Sequence, residues 1–377
     1  MKKVIYLGYY ETQDNPRSCS PAAVTMMDYV SSSIRKSGYS LEIISPAQSE
    51  EVLPEVTEIT DGYEIVFSPS FGLKKEILKK VVYKIRRESE LLRILFEHVG
   101  TDDIVVVYHS LAYIGVLRKL RQRKKFKLIL QVNEIYADVL GKSTARKKEI
   151  KWINEADAYL LSTEKLVDVI EHPKKKFAIC PGTFQVEPIR EIYKEKQKMK
   201  DRINVVYAGT FDMRKGGGEL AVDTARYLSS NYHVHICGFG NDEQTSLIMD
   251  KIQETAKSCA CEVSFEGCLH GEDYIQLLQK CDIGLSTQNP DSAFNASSFP
   301  SKILSYMSNG LQVVSIRIPA IEDSAVGDYM YYYDTPSPEA VAEAIRKIDL
   351  DNCSDPRSII ENLDAEFCEN IKMILET

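Results

Sequence analysis

The sequence predicts an α/β protein made of two doubly wound domains, each a parallel sheet covered by helices on both faces. Three observations lead there. Short apolar runs alternate with helix-length segments along most of the chain, the alternation halts once near residue 190 and restarts, and 377 residues are more than one ordinary core holds.

In chain order, the first set is the strand KVIYLGYY, a helix over 22–37, the strands LEIIS and EIVFS, a basic helix over 74–99, and the strands DIVVVYHS, KLILQVNE and AYLLST. Residues 181–202 open on a Pro-Gly turn and continue as IREIYKEKQKMKDR, which lacks apolar periodicity and reads as a linker. The second set is INVVYAGT, HVHICGFG, EVSFEGCL, DIGLST and LQVVSI. Ile359, Ile360, Leu363, Phe367, Ile371, Ile374 and Leu375 then mark an amphipathic helix over 358–377, expected to pack back on the first domain. The expected domains are therefore 1–180 and 203–357, with ligands bound at the carboxyl ends of the strands, facing a central cleft.

Hydrophobic (44%) and charged (27%) contents are those of a folded globular chain. MKKVIYLGYY reads as a first strand rather than a signal peptide, and no apolar run approaches the roughly 20 residues of a membrane span, so a cytoplasmic protein is expected. Nine cysteines, mostly single within apolar segments, suit free thiols; the spacing of Cys259, Cys261, Cys268 and Cys281 lacks the paired form of a zinc site. Charge is uneven: residues 1–190 hold 30 Lys and Arg against 25 Asp and Glu, and residues 191–377 hold 17 against 30. The basic runs KKEILKKVVYKIRR, RKLRQRKK and KSTARKKEIK read either as solvated helix faces or as peripheral contacts with an anionic membrane. The acidic second half and the lack of a recognition motif argue against nucleic acid.

Three segments carry chemistry. After INVVYAGT, which ends in Gly209 and Thr210, the stretch FDMRKGGG sets Arg214 and Lys215 beside a helix start, either an anion site or a loop with two solvated cations. Its spacing is neither that of an ATP-binding loop nor that of a dinucleotide fingerprint. HVHICGFG ends in Gly238 and Gly240, which permit close backbone approach by a ligand or simply make a turn. The most informative segment is FPSKILSYMSNGLQVVS, residues 299–315. A helix is expected from about Pro300, N-capped by Ser298 and ended by Asn309-Gly310, so that Ser298, Ser301 and Lys302 offer hydroxyls and a cation to one phosphate group. An ordinary capped helix in a βαβ unit would have the same pattern.

Taken together, G-T-x-x-x-R-K-G, G-x-G, F-x-G, C-D-I-G-L-S and F-P-S-K-x-x-x-Y-M-x-x-G resemble the donor domain of GT-B-fold glycosyltransferases, close to glycosyl transferases group 1. The likeness covers about residues 203–334. It implies that Arg214, Lys215, Ser298, Ser301 and Lys302 grip the diphosphate of a nucleotide sugar, with no metal and no cofactor beyond that donor. Where many members carry two glutamates eight residues apart, this chain has Ser297 and Ser305, which leaves retaining stereochemistry and the sugar less defined.

In the first half, His109 closes DIVVVYHS, and in related enzymes a histidine near this strand end contacts the transferred sugar; a satisfied structural imidazole is the other reading. Glu134 closes KLILQVNE and either orients or deprotonates an acceptor hydroxyl or serves as a cap or ion pair. Asn15, Arg17, Ser18 and Ser20 line the acceptor side or form a polar surface turn. The resemblance implies a hexosyltransferase-like enzyme that moves sugar to a glycan or lipid-diphosphate-linked acceptor in bacterial surface polysaccharide or glycolipid synthesis. A sugar-nucleotide epimerase or hydrolase, and a catalytically silent sugar-nucleotide-binding subunit, are the alternatives.

Overall fold

The computed structural model describes residues 2–60, 62–72, 77–139, 143–170, 174–196, 201–212, 217–290 and 299–376. The chain divides into two compact units, Met1–Thr183 with Ala365–Thr377, and Phe184–Asp364.

Among the described residues the first unit is built on ten strands: β1 (Lys3–Leu7), β2 (Ser40–Ser45), β3 (Val52–Leu53), β4 (Val56–Thr60), β5 (Tyr63–Phe67), β6 (Ser70–Phe71), β7 (Ile104–Tyr108), β8 (Lys127–Val132), β9 (Ala158–Leu161) and β10 (Phe177–Ile179). Eight of them form one sheet in the order β10-β9-β8-β7-β1-β2-β5-β4, parallel except for the β4–β5 pair. Unbroken apolar runs such as IVVVY in β7 suit strands covered on both faces, and Val105 to Val107 are buried. The first helix, Pro21–Lys36, follows Ser20 with proline at its opening position, where a missing N–H costs nothing. It lies close to β1, because a side chain at Gly8 would strike Met27 and Tyr108.

The second unit holds β11 (Ile203–Thr210), β12 (Tyr232–Phe239), β13 (Glu262–Gly267), β14 (Ile283–Ser286), β15 (Gln312–Ile316) and β16 (Met330–Tyr333), all parallel, in the order β13-β12-β11-β14-β15-β16. Strand order reverses beside β11. There the β11–β14 ladder is only Val205↔Ile283 and Val206↔Gly284, although β11 runs on to Thr210 and β14 to Ser286. The two strands therefore part toward their carboxyl ends, the place where doubly wound sheets open a crevice.

Tyr306 fills that opening. It comes from the helix Lys302–Ser308, and its buried hydroxyl accepts from Ala208 N–H at 2.8 Å and lies 3.3 Å from Leu285 O, so it bridges the parted strands. Its ring lies against Gly284 so closely that an added Cβ would overlap it.

Two expectations are corrected. The helix thought to begin near Pro300 starts at Lys302, after a turn in which Pro300 O accepts from Ile303 N at 3.0 Å; proline at 300 sits just outside the helix. The stretch 181–202 is not a free linker from residue 184 onward. Arg190 N–H donates to Gln279 Oε1 (2.8 Å), Lys196 Nζ to Cys281 O (2.7 Å), and a short helix, Glu191–Lys196, forms there, so hydrogen bonds hold a polar segment onto the second unit. The last helix, Pro356–Glu376, ends in the first unit: Phe367 stacks on Tyr29 at 5.2 Å, and Lys127 Nζ donates to Ile374 O at 2.5 Å. Among the described residues no helix is long and apolar enough to cross a membrane, and all nine cysteines are free thiols.

Gly284→Ala forces Tyr306 from the crevice. We predict a loss of about 1–3 kcal/mol in the urea-unfolding free energy of the second unit, the usual cost of overpacking a filled core; an unchanged midpoint would show that the ring can give way.

Candidate functional site

In the second unit the carboxyl ends of β11, β12 and β14 meet the helix that carries Tyr306. Lys302 stands one turn before Tyr306 on the same helix face, which aims its side chain at the end of β11. Its ammonium lies 4.4 Å from the centroid of the Tyr207 ring, and a side chain at Gly209 would bring a Cβ to 2.9 Å from Nζ. Gly209 therefore leaves room for a cation at the strand end. Tyr207 is buried, burial pushes its phenol far up, and its hydroxyl donates to Thr210 O at 3.0 Å, so the ring is a neutral, fixed face for the ammonium.

A cavity of about 330 Å³ opens beside this point, lined among others by Phe211, Gly217, Gly218, Ile248, Thr287 and Gln288. That volume is in the range of small-molecule sites. Thr287 Oγ1 donates to Gly217 O at 3.0 Å and ties the end of β14 to the start of the helix Gly218–Thr224. Gly217 has φ +106°, a conformation that suits glycine, and a Cβ there would press on Tyr207 and Thr287. Gln288 is 9% exposed; its Oε1 accepts from Ser286 Oγ at 2.8 Å, while its Nε2 has no partner among the described residues. A buried donor without an acceptor is costly and is expected to meet one when a ligand binds.

Of the residues singled out from sequence, Gly209, Thr210 and Lys302 come together here. Ser301 is exposed at the turn before the helix and makes no capping bond. Gly238 pairs with Gly209 across the ladder, and a side chain there would run into the Gly209 carbonyl, so the space belongs to the neighbouring strand rather than to a ligand. Gly240 lies against Gln244, the partner of Asn241 in a capping box that starts the helix Asp242–Ala256. Between these glycines Phe239 is 58% exposed, an aromatic face at the strand end. Arg214, Lys215, Ser297 and Ser298 lie outside the described residues. Ser305, at a family glutamate position, is half-buried. The helices that follow Gly217 and Ser301 have seven residues each, so fixed charge here rests on Lys302 more than on helix ends.

In the first unit His109 follows β7 and is 2% exposed. Its Nε2 lies 3.0 Å from Glu149 Oε1, its ring stacks on Tyr136 at 5.3 Å, and its Nδ1 has no partner among the described residues. Glu149, missed by sequence reasoning, is 1% exposed and also accepts from the Tyr136 and Ala137 N–H groups, both at 2.9 Å. Burial alone would raise its carboxyl; the hydrogen bonds from His109, Ala137 and Tyr136 outweigh this and hold it below the usual range. Glu134 is half-buried at the end of the adjoining strand, and its charge lies near Tyr108 and Tyr136; burial and those neighbours push Tyr136 up to about 12.

Arg17 is 6% exposed. Its Nε donates to Asn15 Oδ1 at 2.8 Å, its guanidinium lies over Phe67 at 5.3 Å, and its Nη2 has no partner among the described residues. Ser20 is exposed; its carbonyl, not its hydroxyl, starts the first helix by accepting from Ala23 and Val24. Arg17 and His109 share no hydrogen bond among the described residues.

Both units thus place polar side chains at the carboxyl edge of a doubly wound parallel sheet. Solved structures place this architecture in the GT-B fold. One described as trehalose-6-phosphate from E. coli bound with UDP-2-fluoro glucose has a TM-score of 0.65 at 11% identity, covering 100% of this chain and 97% of that one. An alpha,alpha-trehalose-phosphate synthase (UDP-forming) from Burkholderia xenovorans in complex with glucose-6-phosphate scores 0.65 at 12%, covering 100% and 98%. Sucrose-phosphate synthase from Thermosynechococcus elongatus scores 0.64 at 13%, covering 100% and 94%. Residues 202–351, inside the second unit, match the family model of glycosyl transferases group 1. The chain accordingly has the GT-B fold, and its residues 202–351 are similar to the glycosyl transferases group 1. No curated protein gives a match to the sequence.

Glu149→Gln keeps the shape and removes the charge. Because the folded carboxyl is held low, its stabilisation is present above the usual carboxylate range and is lost as pH falls through the lowered value. We predict a deficit of about 1.5–3 kcal/mol at pH 7 that shrinks toward zero on acidification, measured by urea unfolding of both proteins; a deficit independent of pH would assign the loss to shape.

Proposed function

We propose that the chain transfers a sugar from a nucleoside-diphosphate sugar, held by the second unit, to an acceptor hydroxyl presented by the first. The observation that carries this is the Lys302 ammonium set on the neutral face of Tyr207 at Gly209, beside a cavity that Gln288 lines with an unanswered donor. A diphosphate there gains a charge-assisted partner and an N–H donor, and the negative charge that grows on it as the glycosidic bond to the sugar breaks is offset where it forms. Arg214, Lys215, Ser298 and Ser301 complete this grip in our reading. Phe239 offers a stacking face for the base.

On the acceptor side, His109 and Glu134 act on the acceptor hydroxyl or the transferred sugar, with Glu149 orienting His109. Asn15, Arg17 and Ser20 bind the rest of the acceptor. The buried Arg17 with an unpartnered Nη2 suits an anionic group, which fits a phosphorylated sugar as well as a lipid diphosphate; one structural neighbour carries glucose-6-phosphate. We further propose a retaining, metal-independent transfer in the cytoplasm for surface polysaccharide or glycolipid assembly, with peripheral contact to anionic membrane through the basic runs. Ser305, where many glycosyl transferases group 1 carry a glutamate, favours as second reading a silent sugar-nucleotide-binding subunit.

A thermal-shift screen of UDP-, GDP-, ADP- and dTDP-sugars identifies the donor, since a ligand of the native state raises its apparent stability. For that donor, calorimetry of Lys302→Ala is expected to show a loss of about 1.5–3 kcal/mol in diphosphate binding; unchanged affinity would remove the proposed site. His109→Ala is expected to keep donor affinity and lose release of nucleoside diphosphate with acceptor. Normal turnover in that variant would sink the histidine's role, and absence of release in the parent protein with every acceptor would favour the silent subunit.

A further inference from the structure

We propose that His233, His235 and Glu266 bind a divalent transition-metal ion, separate from the transfer site. His233 and His235 project from the same face of β12, and the register sets them against Glu262 and Ser264 of β13. The ladder then slips: Ile236 pairs with Phe265 and Cys237 with Gly267, so Glu266 is the extra residue of a bulge. Its carboxylate reaches His235, and one ligand atom from each of the three residues lies within 4.8 Å of the others. Ligands of one tetrahedral zinc ion stand about 3.4 Å apart, within reach of small side-chain rotations. Two imidazoles and a carboxylate are a donor set that zinc takes. Glu262 Oε1, 3.5 Å from His233 Nε2, is placed to be a fourth ligand, and its exposed side chain leaves the cluster open to solvent on one side.

The hydrogen bonding of His235 is compatible with a bound cation. Its Nδ1 faces Glu266 Oε1 at 2.7 Å and its Nε2 faces Asn204 Oδ1 at 3.2 Å, two oxygen acceptors for a neutral ring that has one N–H. The ring is fully buried. A metal ion on Nδ1 resolves this: the lone pair and the carboxylate both turn to the ion, and Nε2–H donates to Asn204, the outer contact that orients metal-bound histidines. The Ser264 hydroxyl lies among the three side chains, 2.7 Å from His233 Nε2, 3.3 Å from His235 Nδ1 and 2.5 Å from Glu266 Oε1. His235 is three residues before Gly238, about 10 Å along the strand, so the ion would not touch the donor. It would staple β13, the sheet's edge strand, to β12.

The test is calorimetry of the chelator-stripped full chain with zinc, together with the absorption spectrum of its cobalt form. One site per chain is expected, with a rise in melting temperature on metal addition and no thiolate-to-cobalt charge-transfer band. Glu266→Gln and His233→Asn should each weaken binding at least tenfold, while Cys268→Ser, which removes the exposed thiol 3.2 Å from His270 Nε2, should leave it unchanged. Far-ultraviolet dichroism checks folding, and the near-isosteric Glu266→Gln decides if the histidine variant does not fold. No saturable binding, binding unmoved by Glu266→Gln, or a thiolate band would overturn the proposal.

Discussion

The bridge made by the Tyr306 hydroxyl is the constraint on which the second unit's site depends. A doubly wound sheet must part its strands where the order reverses, and parting leaves backbone groups without ladder partners. Here those include Ala208 N–H and Leu285 C=O, buried groups whose neglect would cost about 1–3 kcal/mol each. One phenol reaches both, and glycine at 284 makes room for its ring. Because Lys302 precedes Tyr306 by one helical turn, the same anchor sets the ammonium against Tyr207 and Gly209. Packing and chemistry share one helix face.

In the first unit a charged side chain joins strand ends. Glu149 comes from the helix Ser143–Ile153 and takes two backbone N–H groups of the segment after β8 as well as the ring of His109 after β7. A single buried carboxylate thereby joins two neighbouring strand ends and holds an imidazole at the sheet's carboxyl edge. Arg17 is arranged in the opposite way. It is held by Asn15 and a carbonyl, with its Nη2 left without a partner among the described residues.

The alternation of strands and helices was legible because parallel strands covered on both faces must be continuously apolar, and runs such as IVVVY and INVVYA have no other soluble use. Lys302 was legible through its place in FPSK. Glu149 was not, since KKEIK carries nothing to separate a buried carboxylate from a solvated helix face. Gly238 was read as space for a ligand or as a turn, because a sequence cannot show that a neighbouring carbonyl already fills the space. The pair in HVHIC was passed over for the same reason: alternate histidines on a strand gain a carboxylate partner only when a bulge in another strand supplies one.

The sequence by itself determined the α/β class, the strand segments, the glycine at each close approach and the family likeness of residues 202–351. These depend on local periodicity and on residue types that tolerate few alternatives. Only the tertiary structure decided which polar groups are buried, which meet, and which are left without a partner, because those facts arise where strands and helices distant in sequence pack together. Tyr306 with Ala208, His109 with Glu149 and His235 with Glu266 are contacts across 98, 40 and 31 residues.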